Sequence, residues 1–148
     1  MAKHSFFFEE AVWTADGEFT DALGRLFPLS GEARFTHGAV WSNDSVMRVA
    51  ADPPWEIHNA YQVIPFEPSR LSTVWSSTQS SAGRFLGTLT VVDDVILSHG
   101  HTADSRHVTV EVLRRVSDDQ YENRGAYFVD GALVSSWSVT LRRTPLYR

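Results

Sequence analysis

The stretch that decides the fold runs from Gln120 to Thr144 and reads QYENRGAYFVDGALVSSWSVTLRRT. Two β-rich runs, Gln120–Val129 and Ala132–Thr144, flank Asp130-Gly131, a dipeptide favoured in tight turns. The large apolar residues of both runs fall on odd positions, which is typical of strands with one buried face. We therefore predict an antiparallel hairpin. A three-residue loop, 129–131, with Gly131 at positive φ, would place both odd sets on one face. The residues predicted to point inward are Tyr121, Tyr127, Val129, Leu133, Trp137, Val139 and Leu141.

The same pattern continues towards the N-terminus. Short β-rich runs alternate with Gly, Pro and Asp turn signals every ~8–14 residues, and helical periodicity is nearly absent. Only residues 20–29 allow a helical turn. The predicted strands are Glu10–Thr20, Gly31–His37, Val40–Ala50, Glu56–Pro65, Leu71–Gln79, Arg84–Val92, Val95–His101, Arg106–Ser117, Gln120–Val129 and Ala132–Thr144.

These short connections predict the sheet topology. Strands joined by short turns pair antiparallel, and closing the sheet removes both exposed edges. We therefore predict an all-β fold, a single antiparallel up-and-down β-barrel of about eight to ten strands. A two-layer β-sandwich is the alternative, because the same strand pattern serves both architectures.

Length and composition limit the classes of protein. The chain has 148 residues, which predicts one domain over 1–148, with residues 1–9 as a short extension. It has no cysteine, which excludes disulfides and thiolate metal sites, and its net charge of -5 argues against nucleic-acid binding. No apolar run approaches the ~18 residues of a membrane helix. The run Phe6–Phe8 ends at Glu9, too short for a secretory leader, so we expect a cytoplasmic protein.

Two short motifs resemble the calycin superfamily, the lipocalins and fatty-acid-binding proteins. They are Ala11-Val12-Trp13 on the first predicted strand and Leu141-Arg142-Arg143 near the end of the last. In lipocalins a Gly-x-Trp tryptophan packs beneath the barrel against an arginine of the final strand. The resemblance therefore implies that Trp13 pairs with Arg142 or Arg143, with Ala11 in place of the motif glycine. The two-helix lid and Arg-x-Tyr clamp of fatty-acid-binding proteins have no counterpart here.

The aromatic content indicates what the barrel holds. Five Trp and nine Phe in a small barrel, next to serines and a glutamine, are typical of an apolar site with few polar groups. We predict that the lumen binds a small hydrophobic or amphipathic molecule and needs no cofactor; a fully packed lumen is the alternative. A homodimer is compatible with the sequence. The predicted ligand-binding residues are Phe35, Trp41, Trp75, Ser77, Gln79, His99, Tyr127 and Trp137.

The alternative function is an enzyme that uses the same lumen, a cyclase or isomerase of a polyketide- or terpene-like substrate. Its candidate acid–base residues are His58, His99, Glu111 and Tyr127. Glu111 lies among Val108, Val110 and Val112, and we expect those valines to face inward and Glu111 to be solvated. The opposite register would make Glu111 a buried acid with a raised pKa.

The sequence His99-Gly100-His101 is a candidate metal site. Residues i and i+2 of a strand share a face, and His107 follows the next turn. If residue 101 pairs with 106, however, His107 faces away from the other two histidines, so we predict no metal site. Haem binding by a lumenal histidine and a structural domain with an aromatic interface are further alternatives.

Overall fold

The computed structural model describes residues 3–80 and 82–145. It contains ten β-strands, and the described residues include no helix that could cross a membrane. The strands are β1 (Ala11–Asp21), β2 (Leu26–His37), β3 (Trp41–Val49), β4 (Trp55–Val63), β5 (Ser72–Gln79), β6 (Gly83–Val92), β7 (Val95–His101), β8 (His107–Ser117), β9 (Gln120–Val129) and β10 (Ala132–Arg143).

The strands form one closed barrel. Each strand pairs antiparallel with its neighbour in sequence, and β1 pairs with β10 to close the ring. The predicted all-β, up-and-down barrel is therefore confirmed, with ten strands, and the sandwich is excluded. Closure leaves no free sheet edge, which is how a chain made only of strands avoids edge-to-edge aggregation.

The connection between β1 and β2 differs from the prediction. The sequence allowed a helical turn within residues 20–29 and predicted the next strand from Gly31, but β2 already begins at Leu26. A tight turn precedes it, in which the Asp21 carboxylate accepts hydrogen bonds from the backbone N–H groups of Leu23 and Arg25, both at 2.9 Å. An aspartate that bonds nearby backbone groups competes with helix formation, and Gly24 at φ 80° completes the turn.

The β9–β10 hairpin reaches the predicted facing by another route. Val129 pairs with Ala132, so the loop has two residues, Asp130 and Gly131, both at positive φ. This loop alone would turn Trp137 outward, but a bulge between Leu133 and Ser135 shifts the register by one residue. From Ser135 onward odd positions therefore face inward. The three-residue loop and the inward position of Leu133 were wrong, because Leu133 precedes the shift and is exposed.

The N-terminal segment, residues 3–9, closes one end of the barrel. Phe6 packs edge-on against Trp13 and Phe35, with ring centroids 5.1 and 4.8 Å apart, and its ring centre lies 5.5 Å from that of Tyr121. The guanidinium of Arg143 lies 5.9 Å from the Trp13 ring centre, which confirms the predicted pair and selects Arg143 over Arg142. Large rings thus fill the base of the barrel.

A buried hydrogen-bond network holds this segment in place. The Nε2 atom of His4 donates to the Asp93 carbonyl at 2.8 Å, and its Nδ1 atom is hydrogen-bonded to the Tyr121 hydroxyl at 2.7 Å. The same hydroxyl accepts a hydrogen bond from the Ser5 backbone N–H at 3.2 Å, and the Ser5 hydroxyl donates to the Asp118 carbonyl at 2.6 Å. The segment is thereby tied to the β6–β7 and β8–β9 turns.

Candidate functional site

The lumen is lined by alternate residues of every strand. Odd-numbered residues point inward on nine of the ten strands, and on β10 this holds from Ser135 onward. On β7 the even-numbered residues Ile96, Ser98 and Gly100 point inward instead. The segment 3–9 closes one end, and among the described residues only short turns surround the other. Exposed apolar side chains ring this open end. They are Leu23, Leu26, Trp55, Leu133 and Val134.

Two indoles project into the lumen from opposite walls. Trp75 is on β5 and Trp137 on β10, five positions apart in the ring of ten strands. Trp75 lies over Gly87 and Gly100, and Trp137 lies over Gly125, so closely that a Cβ atom at any of these glycines would collide with an indole ring. The missing side chains therefore leave the room in which the two indoles lie flat against the wall.

Glu111 of β8 projects into the lumen beside Trp137. Its Oε2 atom accepts hydrogen bonds from Asn123 Nδ2 at 3.0 Å and from Trp137 Nε1 at 3.3 Å. Asn123 Oδ1 also accepts from the same indole N–H at 3.1 Å, which ties the three side chains together. No described residue forms an ion pair with Glu111.

The electrostatics of this group follow from its burial. Burial raises the pKa of Glu111, and the hydrogen bonds from Asn123 and Trp137 only partly oppose that rise. Burial also raises the pKa of the Tyr61 phenol, and the nearby Glu111 charge raises it further. Tyr61 is on β4, so a neutral phenol and a carboxyl face the lumen from distant strands.

The facing of β8 was predicted wrongly. Val110 and Val112 are exposed on the outer face, and Glu111 faces the lumen with Thr109 and Leu113. The alternation of valines indicated a buried face, but pairing with β9 places Glu111 opposite Gly125, in the row that carries Trp137. An outer face rich in valine gives the same alternation in sequence as an inner one.

Several lumenal polar atoms lack partners. The Ser77 hydroxyl and the side-chain oxygens of Asn43 and Asn59 are buried without a hydrogen bond from any described residue. Asn43, Tyr61 and Ser77 are neighbours in the register across β3, β4 and β5. Buried polar atoms are normally satisfied, so these three are unusual. Each is enclosed, and a ligand would reach it only if neighbouring side chains moved.

Inward-facing residues above the base keep partial exposure. Met47, Asn59, Tyr61, Glu111 and Trp137 are half-buried although their strand positions face the lumen. Trp13, Phe35 and Tyr121 at the closed end are fully buried. The base is therefore packed, and space is left only around mid-strand positions, because Leu29, Val49 and Phe85 near the other end are also buried.

The predicted ligand-binding residues fall into three groups. Trp75, Ser77, Gln79, Tyr127 and Trp137 are on the inward face, above the closed end. Phe35 and Trp41 face inward but pack at the base against the segment 3–9, Phe35 on Phe6 and Trp41 on Phe8. His99 is exposed on the outer face, so its predicted lumenal position is wrong.

The acid–base candidates divide in the same way. His58 is exposed on the outer face, where its Nε2 lies 3.0 Å from the Glu56 carboxylate, and is not lumenal as we expected. Glu111 and Tyr127 face inward, and the Tyr127 hydroxyl is hydrogen-bonded to Nδ1 of His107. The lumenal positions predicted for His58 and His99 were wrong because a shift of one residue along a strand moves a side chain to the other face of the sheet.

The histidines of β7 and β8 do not converge. β7 ends at His101 as predicted, but His101 pairs with Val108 and not with residue 106, so the loop between β7 and β8 is longer than that pairing would give. The rings of His99 and His101 are 6.3 Å apart on the outer face, and His107 faces inward. The described residues contain no group of three or more metal-ligating side chains.

Sequence reasoning missed Tyr61, Asn59 and Asn123. Asn59 and Asn123 each occupy an odd position of a strand whose other odd positions are aliphatic, aromatic or glycine, and this was the available signal. A polar residue in phase with an apolar face is unusual enough to mark a site.

Two grooves lie outside the lumen. One of about 560 Å³ crosses β6–β9, lined by outward-facing residues such as Thr88, Leu97 and Val110 and also by Ser98, Glu111 and Gly125. The other, of about 550 Å³, lies beside the closed end, next to His4 and Leu71. Any test of lumenal binding must therefore distinguish the lumen from these grooves.

Comparison with known proteins gives the fold. No protein-family model matches the sequence, and no curated protein matches it. Among solved structures, the chain is similar to the S-type phycobiliprotein lyase CPES from Guillardia theta, with a TM-score of 0.68 and 12% identity. The match covers 97% of this chain and 92% of that chain. At this identity the likeness shows the fold alone, a lipocalin-like, closed ten-stranded antiparallel barrel.

Proposed function

We propose that this protein binds a small, largely apolar molecule in the barrel lumen, with the polar end of the ligand at Glu111 and Tyr61. The observation that carries the proposal is the lumenal Glu111 carboxyl, which forms no ion pair with a described residue and lies among half-exposed mid-strand positions above a packed base. Removing a charge from water without an ion-pair partner costs stability, and a binding site gives a reason to keep it.

The surrounding residues support the same function. Trp137 supplies accessible apolar surface, and the Tyr61 hydroxyl supplies a polar atom without a described protein partner. This mixture is typical of small-molecule sites. The apolar rim of the open end would let an apolar ligand leave water gradually as it enters. Similarity to a phycobiliprotein lyase is compatible with this proposal.

The test uses diphenylhexatriene, a neutral hydrocarbon rod that fluoresces when it leaves water. Ser45 of β3 faces the lumen and lines neither outer groove, whereas Thr88 lines the groove on β6–β9. We expect the wild type and Thr88→Phe to bind the dye equally, and Ser45→Phe to bind at least about tenfold more weakly because the new ring occupies the lumen.

Unchanged binding in Ser45→Phe, or loss of binding only in Thr88→Phe, would contradict the proposal. Circular dichroism and thermal unfolding check that each variant folds. If Ser45→Phe does not fold, Ser45→Leu fills the same lumen with a smaller side chain.

A second candidate is acid–base catalysis on a lumenal substrate, favoured by the raised pKa of Glu111. Mass spectrometry of molecules extracted from the purified wild type and from Glu111→Gln distinguishes the two functions. A catalyst would yield product from the wild type and unconverted substrate from the variant. A passive binding protein would yield the same molecule from both.

A further inference from the structure

The charges on the inward face are arranged unevenly. Of the strand positions that point into the middle of the barrel, only Glu111 carries a carboxyl group. The inward arginines are both at the base. Arg115 is paired with Asp118 at 2.9 Å, and Arg143 is paired with Asp119 at 2.7 Å. Arg115 also lies four residues along β8 from Glu111, about 13 Å at strand spacing.

One oxygen of the Glu111 carboxyl is free. Both protein donors go to Oε2, and Oε1 receives no hydrogen bond from any residue that the structure describes. Oε1 is also not among the enclosed, unpartnered polar atoms, so part of its surface is accessible. A donor that enters the lumen can reach it without displacing a protein group.

The groups around this oxygen select for a donor. Asn123 and Trp137 hold Oε2 in place, so the carboxyl need not reorganise when a ligand binds. The Tyr61 hydroxyl also forms no hydrogen bond with the described residues and remains a neutral phenol. An entering N–H group would therefore meet a fixed acceptor at Glu111 and a second polar group at Tyr61.

We propose that the lumenal ligand is an apolar or aromatic molecule that carries a protonated or N–H-bearing nitrogen, which donates to Oε1 of Glu111. This inference rests on the proposed lumenal function and specifies its ligand class. A fatty acid is the wrong charge for this site, because its carboxylate would face Glu111 with no inward-facing arginine above the base to offset the repulsion. A protonated nitrogen would compensate the buried carboxylate and keep it ionised.

The experiment compares three ligands with one chain length and different head groups: dodecylamine, dodecanol and dodecanoate, each below its micelle concentration. Each displaces diphenylhexatriene from the wild type, from Glu111→Gln and from the control Glu18→Gln, whose side chain is exposed on the outer face of β1. At pH 7 we expect the amine to displace the dye at about tenfold lower concentration than the alcohol, since a hydrogen bond to a charged group contributes ~1.5 kcal/mol. Dodecanoate should be the weakest of the three.

The variants separate the two proposals. Glu111→Gln should lose the preference for the amine and keep its affinity for the alcohol, and Glu18→Gln should behave as the wild type does. Displacement by all three ligands alike, with Glu111→Gln unchanged, would overturn the nitrogen proposal and leave lumenal binding intact. A wild type that binds no dye, or a dye that none of the ligands displaces, would overturn the proposed function itself.

Discussion

The sharpest consequence of a buried, unpaired carboxyl is a pH-dependent stability that one substitution removes. Burial makes the pKa of Glu111 higher in the folded protein than in the unfolded chain, where it is ~4.3. The folded protein therefore binds this proton more tightly. The stability contribution is fully present below the unfolded pKa, and it is lost as the pH rises through the folded pKa.

The variant Glu111→Gln keeps the shape of the side chain and removes its titration. Its amide oxygen can accept the hydrogen bonds from Asn123 and Trp137, and its NH₂ group would occupy the free position. Each tenfold difference in proton affinity between the folded and unfolded chains changes the unfolding free energy by about 1.4 kcal/mol at high pH. Because the two hydrogen bonds offset part of the burial cost, we expect the variant to be about 1–2 kcal/mol more stable at pH 8.

Thermal unfolding between pH 4 and pH 8 measures this effect. A difference of 1 kcal/mol shifts Tm by about 4 °C for a chain of this size. Glu111→Gln should thus unfold several degrees above the wild type at pH 8 and at nearly the same temperature at pH 4. The control Glu18→Gln should follow the wild type throughout. A variant destabilised equally at both pH values would contradict this expectation, because the effect would then not depend on ionisation of Glu111. A variant destabilised only at pH 8 would show that the ionised carboxyl stabilises the fold.

Two further predictions concern the packing of Trp137 on Gly125 and the closed end of the barrel. Gly125→Ala should lower the unfolding free energy by about 1–3 kcal/mol in urea titrations, because the new Cβ collides with Trp137. The control Gly38→Ala, where the atom nearest to the new Cβ is 3.6 Å away, should change the unfolding free energy by less than about 0.5 kcal/mol. Equal effects of the two variants would contradict the close packing of Trp137 on Gly125. Tyr121→Phe should cost about 1–3 kcal/mol and speed amide exchange at Ser5, whose N–H loses its acceptor; unchanged exchange would contradict the role of this hydroxyl.

The barrel could be predicted from the sequence because its causes are local. Short turns between β-rich runs require antiparallel neighbours, and a long ribbon of such neighbours must close or expose its edges. The pairing of Trp13 with an arginine of the last strand could also be predicted, because the resemblance to lipocalins supplied a contact between two ends of the chain. The contact is present, with Arg143, the second of the two candidate arginines.

The facing of individual strands could not be predicted so well, because it depends on pairing between strands. On β8 the valines suggested the inner face, yet the row that contains Gly125 and Trp137 brings Glu111 inside. On β10 the two-residue turn changes which face the odd positions take, and the bulge changes it back, so Trp137 was correctly predicted to face inward although the predicted loop was wrong. A bulge is one extra residue with no distinctive sequence signal, and it reverses every facing that follows it.

A crystal structure grown with diphenylhexatriene would show whether the lumen holds a ligand between its two indoles. We expect the hydrocarbon rod inside the barrel, between Trp75 and Trp137 and above the packed base, with its outer end at the apolar rim. A rod bound in the outer groove beside Thr88 and Val110, or a lumen filled by side chains with no dye in it, would rule out lumenal binding.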